Sequence, residues 1–249
     1  MGFVVPSRFC GPPESGNGGW VSGHVAALLE AGPDESVTVR LRTPPPLDRE
    51  LQVVPGQSDG RRTLEVVDGD HPVAQATAGA ALKQAGIPAP VSFAEATTAG
   101  EGYEGLADHP FPTCFSCGTR REPGDGLRLQ PGRLAGGDGA YAAAWVPAPD
   151  VTLETVWAAL DCPGGWASGI AGRPMVLGTM TAQVASLPTG EDHVVLAWPR
   201  GGEGRKYHSG TALYAADGRL LAQAEATWIA IDPSAFRDSS AVRPAGGNA

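Results

Sequence analysis

The sequence is poor in charged residues, in aromatic residues and in long apolar runs. Charged residues make up 18% and aromatic residues 6% of the 249 positions. No window of about 18 apolar residues occurs, so the sequence predicts no membrane-spanning helix. The first residues lack both a basic segment and a long apolar core, so no signal peptide is predicted. A cytoplasmic protein is the expectation that follows.

Basic residues and cysteines are also scarce. The chain has 18 Lys and Arg against 27 Asp and Glu, which gives a formal net charge of −9. Such a surface repels phosphate backbones, so we do not expect nucleic acid as a partner. The four cysteines are too few for a disulfide framework in a chain of this length. Hydrophobic residues make up 42%, enough for a sizeable core, and exclude global disorder.

Two of the cysteines, Cys114 and Cys117, have the CxxC spacing that occurs in zinc and redox sites. The other two, Cys10 and Cys162, form no second CxxC and lie far away in the sequence. The five histidines are scattered without the spacing of metal ligands. We therefore expect no metal site.

Two blocks of sequence occur twice, in the same order. The pattern GGWxSG stands at residues 18–23 and again at 164–169. Later in each half, an Asp-Gly dipeptide precedes an Ala-Gln-Ala segment, at 68–76 and at 217–224. This order indicates an internal duplication.

Each half has the pattern of one helix followed by antiparallel strands, which predicts an α+β fold. In the first half, a helix is predicted over 20–30, with strands at 37–42, 51–54, 63–67 and 73–77. In the second, strands at 127–129 and 140–146 precede a helical stretch over 153–170, interrupted at Pro163; further strands follow at 176–187, 193–198, 207–215 and 220–229.

The predicted organisation has three parts. An N-terminal repeat with its linker covers residues 1–108, a C-terminal repeat covers 109–232, and a mobile tail covers 233–249. The linker, at about 79–108, has a helix candidate at 80–85 and is expected to lie over the sheet.

Each Gly-Gly pair precedes a tryptophan near a predicted helix. Free N–H groups at a helix N-terminus can stabilise an oxyanion, and glycine lets a ligand approach the backbone closely. The candidate binding residues are therefore Asn17, Gly18, Gly19, Trp20, Gly164, Gly165 and Trp166. The alternative is that each pair only makes a turn and allows the helix to pack on the sheet.

Three segments carry a resemblance to a known family. Residues 114–118 (CFSCG) and 123–129 (PGDGLRL) resemble a loop motif of small hotdog thioesterases, with Glu122 where the motif has asparagine. The strand pair at 207–227 resembles the last hairpin of bacterial acyl-CoA thioesterase II, and residues 157–161 (WAALD) are similar to the segment with that family's catalytic aspartate. Together with the repeat, the resemblance implies a double hotdog fold.

The resemblance implies hydrolysis of acyl-CoA thioesters, or of other acyl thioesters, without a cofactor. In that family an aspartate, a threonine and a glutamine hold the attacking water. Asp161 matches the aspartate, and Thr179 or Thr181 falls near the threonine. The glutamine position falls near Ala226, so Gln183 is the substitute candidate. Asp161 could instead only cap a helix or bind a turn.

Three charged or titratable residues complete the candidate site. His24 shares a helix face with Trp20 and either packs there or forms a wall of an acyl tunnel. Arg200 and Arg205 flank a glycine-rich turn and could hold the phosphates of coenzyme A, although solvated loop charges are the alternative.

Three functions stay open at this point. Besides hydrolysis, the missing glutamine favours a non-catalytic acyl or acyl-CoA binding protein. A hotdog dehydratase or hydratase would need an HxxxGxxxxP pattern, and Leu28 stands where that pattern places glycine after His24. The resemblance also implies a homodimer.

Overall fold

The computed structural model describes residues 2–136 and 138–232. The tail predicted over 233–249 lies outside the described residues. No helix in these ranges is both long and apolar enough to cross a membrane.

One antiparallel sheet and three α-helices form the described part of the chain. The helices are α1 (Gly18–Ala27), α2 (Phe93–Glu101) and α3 (Leu153–Ala167). The sheet has eleven strands: β1 (Gly2–Val4), β2 (Glu35–Leu41), β3 (Glu50–Ser58), β4 (Arg61–Asp68), β5 (His71–Ala80), β6 (Gly132–Arg133), β7 (Tyr141–Trp145), β8 (Met175–Val184), β9 (His193–Glu203), β10 (Lys206–Ala215) and β11 (Leu220–Ala230).

The strand order shows two matching sets of four strands. The order is β1-β3-β4-β5-β2-β8-β11-β10-β9-β7-β6, so β2 and β8 pair at the centre and each is followed outward by its own hairpins. The two Asp-Gly turns of the sequence occupy corresponding hairpins, β4–β5 and β10–β11. Gly69 and Gly218 in these turns have φ of 61° and 81°, a left-handed conformation that glycine adopts without strain. The strands predicted from alternation are largely confirmed.

The two copies of the GGWxSG pattern do not occupy corresponding positions in their helices. The first begins α1, where the Asn17 side chain accepts a hydrogen bond from the Trp20 N–H and caps the helix. The second ends α3, which begins after a Thr152 cap and runs through Pro163 without interruption. The predicted break at Pro163 is therefore wrong.

Helices α1 and α3 pack antiparallel against each other at two glycines. A Cβ on Gly19 would lie 2.4 Å from the Asp161 Cβ, and one on Gly23 would lie 2.7 Å from the Glu154 Cα and 2.8 Å from the Trp157 Cβ. Both helices contribute buried side chains to one hydrophobic core, together with the inward-facing residues of both sets of strands. The close contact of the helices therefore depends on these two missing side chains.

The linker helix lies elsewhere than expected. The predicted helix at 80–85 is absent, and α2 begins instead after Ser92, whose hydroxyl accepts from the Glu95 N–H while the Glu95 carboxylate accepts from the Ser92 N–H. Through Ala96, α2 packs on the outer sheet face against Leu196 and neighbouring residues. Residues 127–129 form no strand either.

Gly23→Ala is expected to lower the free energy of unfolding by about 1–2 kcal/mol, because overpacking of the α1–α3 contact outweighs the better helix propensity of alanine. Urea unfolding checks this. Gly172→Ala is the matched control, since a Cβ there meets nothing within 4 Å and the backbone has no positive φ. Equal stability of the two variants would contradict the close helix contact.

Candidate active site

A cavity of about 310 Å³ opens where the N-terminus of α1 meets the C-terminal half of α3. Its walls come from the loop before α1, the loop after β2, the CxxC loop, α3 and the start of β8. Most of the walls are apolar; the larger apolar side chains are Phe111, Trp166, Ile170, Met175, Leu177 and Trp228.

Asp161 is the buried carboxyl group of this cavity, and its side chain spans the two helices. Only 3% of the residue is exposed. Its Oδ2 accepts hydrogen bonds from the Gly19 N–H at 2.9 Å and from the Asn17 Nδ2 at 3.3 Å. Its Oδ1 is buried without a hydrogen-bond partner among the described residues. One oxygen therefore holds the carboxyl in place, and the other can bind a ligand or a water.

The environment of Asp161 favours its protonated form. Burial raises the pKa of this carboxyl from its ordinary value of 3.8 to about 8, against the hydrogen bonds from Gly19 and Asn17, which favour the charged form. A carboxyl group with a pKa near neutrality can take up and release a proton at physiological pH.

The backbone amide of Gly18, next to the Gly19 amide that binds Asp161, is a hydrogen-bond donor without a partner among the described residues. The amides of Gly19 and Trp20 bind Asp161 and Asn17, whereas that of Gly18 has no acceptor among the described residues. Gly18 lines the cavity. As the first residue of α1, it adds the positive end of the helix dipole to its own N–H group.

Solved structures with the same architecture align over nearly the whole described chain. The tesB protein of Mycobacterium avium subspecies paratuberculosis aligns with a TM-score of 0.64 at 12% identity, covering 93% of each chain. A conserved protein with a hot dog fold from Alicyclobacillus acidocaldarius aligns with a TM-score of 0.60 at 13% identity, also over 93% of each. The chain has the hotdog fold.

A dehydratase shares this hotdog fold as well. The dehydratase domain of PpsC from Mycobacterium tuberculosis, in complex with C12:1-CoA, aligns with a TM-score of 0.63 at 13% identity over 93% of each chain. No protein-family model and no curated protein matches the sequence. At these identities the likeness establishes the fold and leaves the reaction open.

Thr179, Thr181 and Gln183 lie away from Asp161, on the outer face of the hotdog sheet. The Thr181 hydroxyl pairs with that of Thr38 at 2.9 Å, and Gln183 accepts from the Leu82 N–H. None of the three predicted residues lines the cavity. The structure therefore does not form the expected group with Asp161.

A bulge in β8 explains this placement. Opposite β11, the register passes from Leu177 to Thr179 and leaves Gly178 without a partner. Leu177 points inward, and the extra residue turns Thr179 and those in step with it to the other face, because successive side chains alternate across a strand. The bulge is defined by the pairing of β8 with β11, so the alternation of residues in the sequence could not predict this change of face.

The second Gly-Gly pair is not an oxyanion site. Gly164 and Gly165 lie in the last turns of α3, at its negative end. A Cβ on Gly164 would lie 2.6 Å from the Ser209 Oγ, and one on Gly165 would lie 3.0 Å from the Trp228 ring. These glycines let the helix pack on the sheet, which was the alternative interpretation. Trp166 does line the cavity.

Trp20 and His24 lie on α1 and do not line the cavity. The Trp20 ring stacks on Phe9 at 4.1 Å and on His24 at 5.5 Å. The His24 Nδ1 lies 3.0 Å from the Glu154 Oε1 in the first turn of α3. This pair ties the two helices together, so the structure favours the packing role for His24.

Arg200 and Arg205 lie away from the cavity too. Arg200 forms an ion pair with Glu225 on the outer sheet face, and Arg205 is exposed in the β9–β10 turn. The arginine at the cavity mouth is Arg42, which was not among the predicted site residues. Its guanidinium donates a hydrogen bond to the Gln75 Oε1 at 2.6 Å. Its only sequence signal was its position as the last residue of the strand predicted at 37–42.

Glu154→Gln is expected to reduce stability at pH 7 by about 1–2 kcal/mol, because the His24 hydrogen bond lowers the pKa of Glu154 from 4.5 to about 2. This contribution is complete above pH 4.5 and is lost as the pH falls through about 2. The gap between wild type and variant should therefore close on acidification.

Urea unfolding at pH 7, 4 and 3 measures this gap. Glu14→Gln, at an exposed carboxylate in a turn, is the control. A gap for Glu154→Gln that stays constant down to pH 3 would contradict the interpretation.

Proposed function

We propose that this protein hydrolyses acyl thioesters, with acyl-CoA as the substrate class. The observation that carries the proposal is the buried Asp161 with one free carboxyl oxygen, beside the free Gly18 amide at the N-terminus of α1. A water-activating group and an oxyanion donor are the two elements that thioester hydrolysis requires. The hotdog neighbours that include a tesB protein support the same class.

In the proposed reaction, Asp161 acts in its ionised form, which is the minor form at pH 7 because its pKa is about 8. Its Oδ1 then accepts a proton from a water whose oxygen attacks the thioester carbonyl carbon. The carbonyl oxygen takes the negative charge and accepts a hydrogen bond from the Gly18 N–H. The C–S bond then breaks, the proton passes from Asp161 to the leaving sulfur, and a carboxylic acid and a thiol result. Asn17 and Gly19 hold Asp161 in position through its other oxygen.

The apolar walls of the cavity would take the acyl chain. Leu177, Met175 and Ile170 form one such surface beside Gly18. Arg42 at the mouth would bind a phosphate of coenzyme A, a role that Arg200 and Arg205 cannot share from their positions.

We also infer that the two halves are hotdog repeats that arose by duplication, with the boundary near residue 108. The matching strand order on either side of the β2–β8 pair and the corresponding Asp-Gly hairpins support this. The GGWxSG correspondence does not, because the two copies lie at opposite ends of their helices. A homodimer stays a prediction.

A non-catalytic acyl-binding protein is the second candidate. The absence of Thr179, Thr181 and Gln183 from the cavity favours it, since Asp161 then lacks the partners expected for holding the water. A hydratase is less favoured. His109 lines the cavity, but its Nδ1 accepts from the Phe111 N–H at 2.9 Å, so its Nε2 carries the proton and cannot act as a base.

Asp161→Asn is expected to lower kcat for acyl-CoA hydrolysis by about 10²–10⁴-fold, because the amide keeps the shape of the side chain but cannot accept the water proton. Release of free thiol from a panel of acyl-CoAs measures the rate. Thr179→Val is the matched control and should retain the wild-type rate, since Thr179 faces away from the cavity.

Equal rates for Asp161→Asn and wild type, at equal Tm, would contradict hydrolysis by Asp161. Loss of turnover in Thr179→Val would instead support the site expected from the sequence, in which Thr179 helps Asp161 to hold the attacking water. A wild-type protein that releases no thiol, but whose Tm rises with acyl-CoA concentration, would establish the binding function instead.

A further inference from the structure

Three of the four cysteines meet at one place in the cavity wall. Cys162 of α3 comes to Cys114 and Cys117 of the CxxC loop, and the three sulfur atoms all lie within 4.8 Å of one another. All three side chains are buried, and all three line the cavity. No metal site was expected because Cys162 is far from the CxxC pair in the sequence. In the fold, however, Cys162 lies next to that pair.

The spacing of the sulfurs fits a tetrahedral metal ion. The Sγ atoms of Cys114 and Cys162 are 3.6 Å apart. Zinc–thiolate bonds of about 2.3 Å in a tetrahedron place two sulfurs about 3.8 Å apart. A disulfide would need the two sulfurs at about 2.05 Å and would leave the third cysteine without a role.

N–H groups surround the cluster. The Asn17 Nδ2 lies 3.6 Å from the Cys114 Sγ and 3.9 Å from the Cys162 Sγ. The His109 Nε2, which carries the ring proton, lies 3.2 Å from the Cys117 carbonyl oxygen and 3.4 Å from the Cys117 Sγ. Such donors offset the negative charge of thiolate ligands, and they orient the ligands of metal sites.

We propose that Cys114, Cys117 and Cys162 bind one Zn²⁺ ion through their three thiolates, with the fourth coordination position facing the cavity. Binding releases three thiol protons and leaves a site of net charge −1. His109 is a hydrogen-bond donor to this site and not its fourth ligand, because its Nδ1 is already an acceptor for the Phe111 N–H. Catalytic zinc sites have the same arrangement, with three protein ligands and one open position for water or substrate.

Metal content tests the proposal without reference to hydrolysis. The full-length protein, purified under reducing conditions, is expected to contain one zinc per chain by elemental analysis. After chelation, titration with Co²⁺ should give thiolate-to-metal charge transfer and tetrahedral d–d bands that saturate at one equivalent. The d–d bands should shift when a small thiol is added, because the fourth position is open.

Single variants identify the ligands. Cys114→Ser, Cys117→Ser and Cys162→Ser should each weaken Zn²⁺ binding by more than about 100-fold, beyond the loss typical of residues that only contact a ligand. Cys10→Ser is the matched control, since its sulfur contacts Arg121 and Thr113 outside the cluster, and it should bind like wild type. His109→Ala should keep the stoichiometry of one.

Several results would overturn the proposal. The first is that the wild-type protein takes up no Co²⁺. The second is that Cys162→Ser binds Zn²⁺ with wild-type affinity and has the same Tm as wild type. A Cys114–Cys162 disulfide that persists under the reducing purification would show a redox pair in place of the metal. Loss of stoichiometric binding in His109→Ala, or d–d bands that ignore the added thiol, would overturn the open fourth position. None of these outcomes depends on Asp161 acting as a base.

Discussion

The contact between α1 and α3 at Gly19 and Gly23 sets the position of Asp161 relative to the backbone amides that begin α1. Because neither glycine has a side chain, the helix backbones come close enough for the Asp161 carboxyl to reach the amides that begin α1. A buried carboxyl needs hydrogen-bond partners, and here the opposite helix supplies them. A larger residue at either glycine would separate the acid from its donors as well as loosen the core.

The same contact brings together groups that lie far apart in the sequence. Asn17 binds Asp161 through its amide and lies near two of the clustered sulfurs. Cys162 follows Asp161 directly in α3, so the turn of one helix presents a carboxyl and a thiol to the same cavity. The hydrolytic and metal-binding proposals therefore concern neighbouring parts of one cavity, although their tests are independent.

Much of the fold could be predicted from the sequence because its signals are local. The helix predicted over 20–30 corresponds to α1, most predicted strands are present, and both Asp-Gly turns are hairpins. The helix at 93–101 was missed because its apolar face is short, although the Ser92 and Glu95 capping pair was visible. Asp161, Asn17 and Gly18 were predicted as site residues, and the structure brings them together.

The errors in the site have non-local causes. The bulge at Gly178 depends on pairing with β11, and it alone turns Thr179 outward. Cys162 joins the CxxC loop only because α3 crosses beneath that loop, which no spacing rule can anticipate. The hotdog fold itself does not decide the reaction, since it is shared by a tesB protein and a dehydratase domain.

The ends of the eleven-stranded sheet have a consequence for self-association. Its outermost strands, β1 and β6, are only three and two residues long. Strands this short cover only part of their neighbours, because β1 pairs with residues 50–52 of β3 and leaves residues 53–58 of that strand without a partner on their outer side among the described residues. A second molecule that continued the ladder of backbone hydrogen bonds would therefore pair with this exposed stretch of β3.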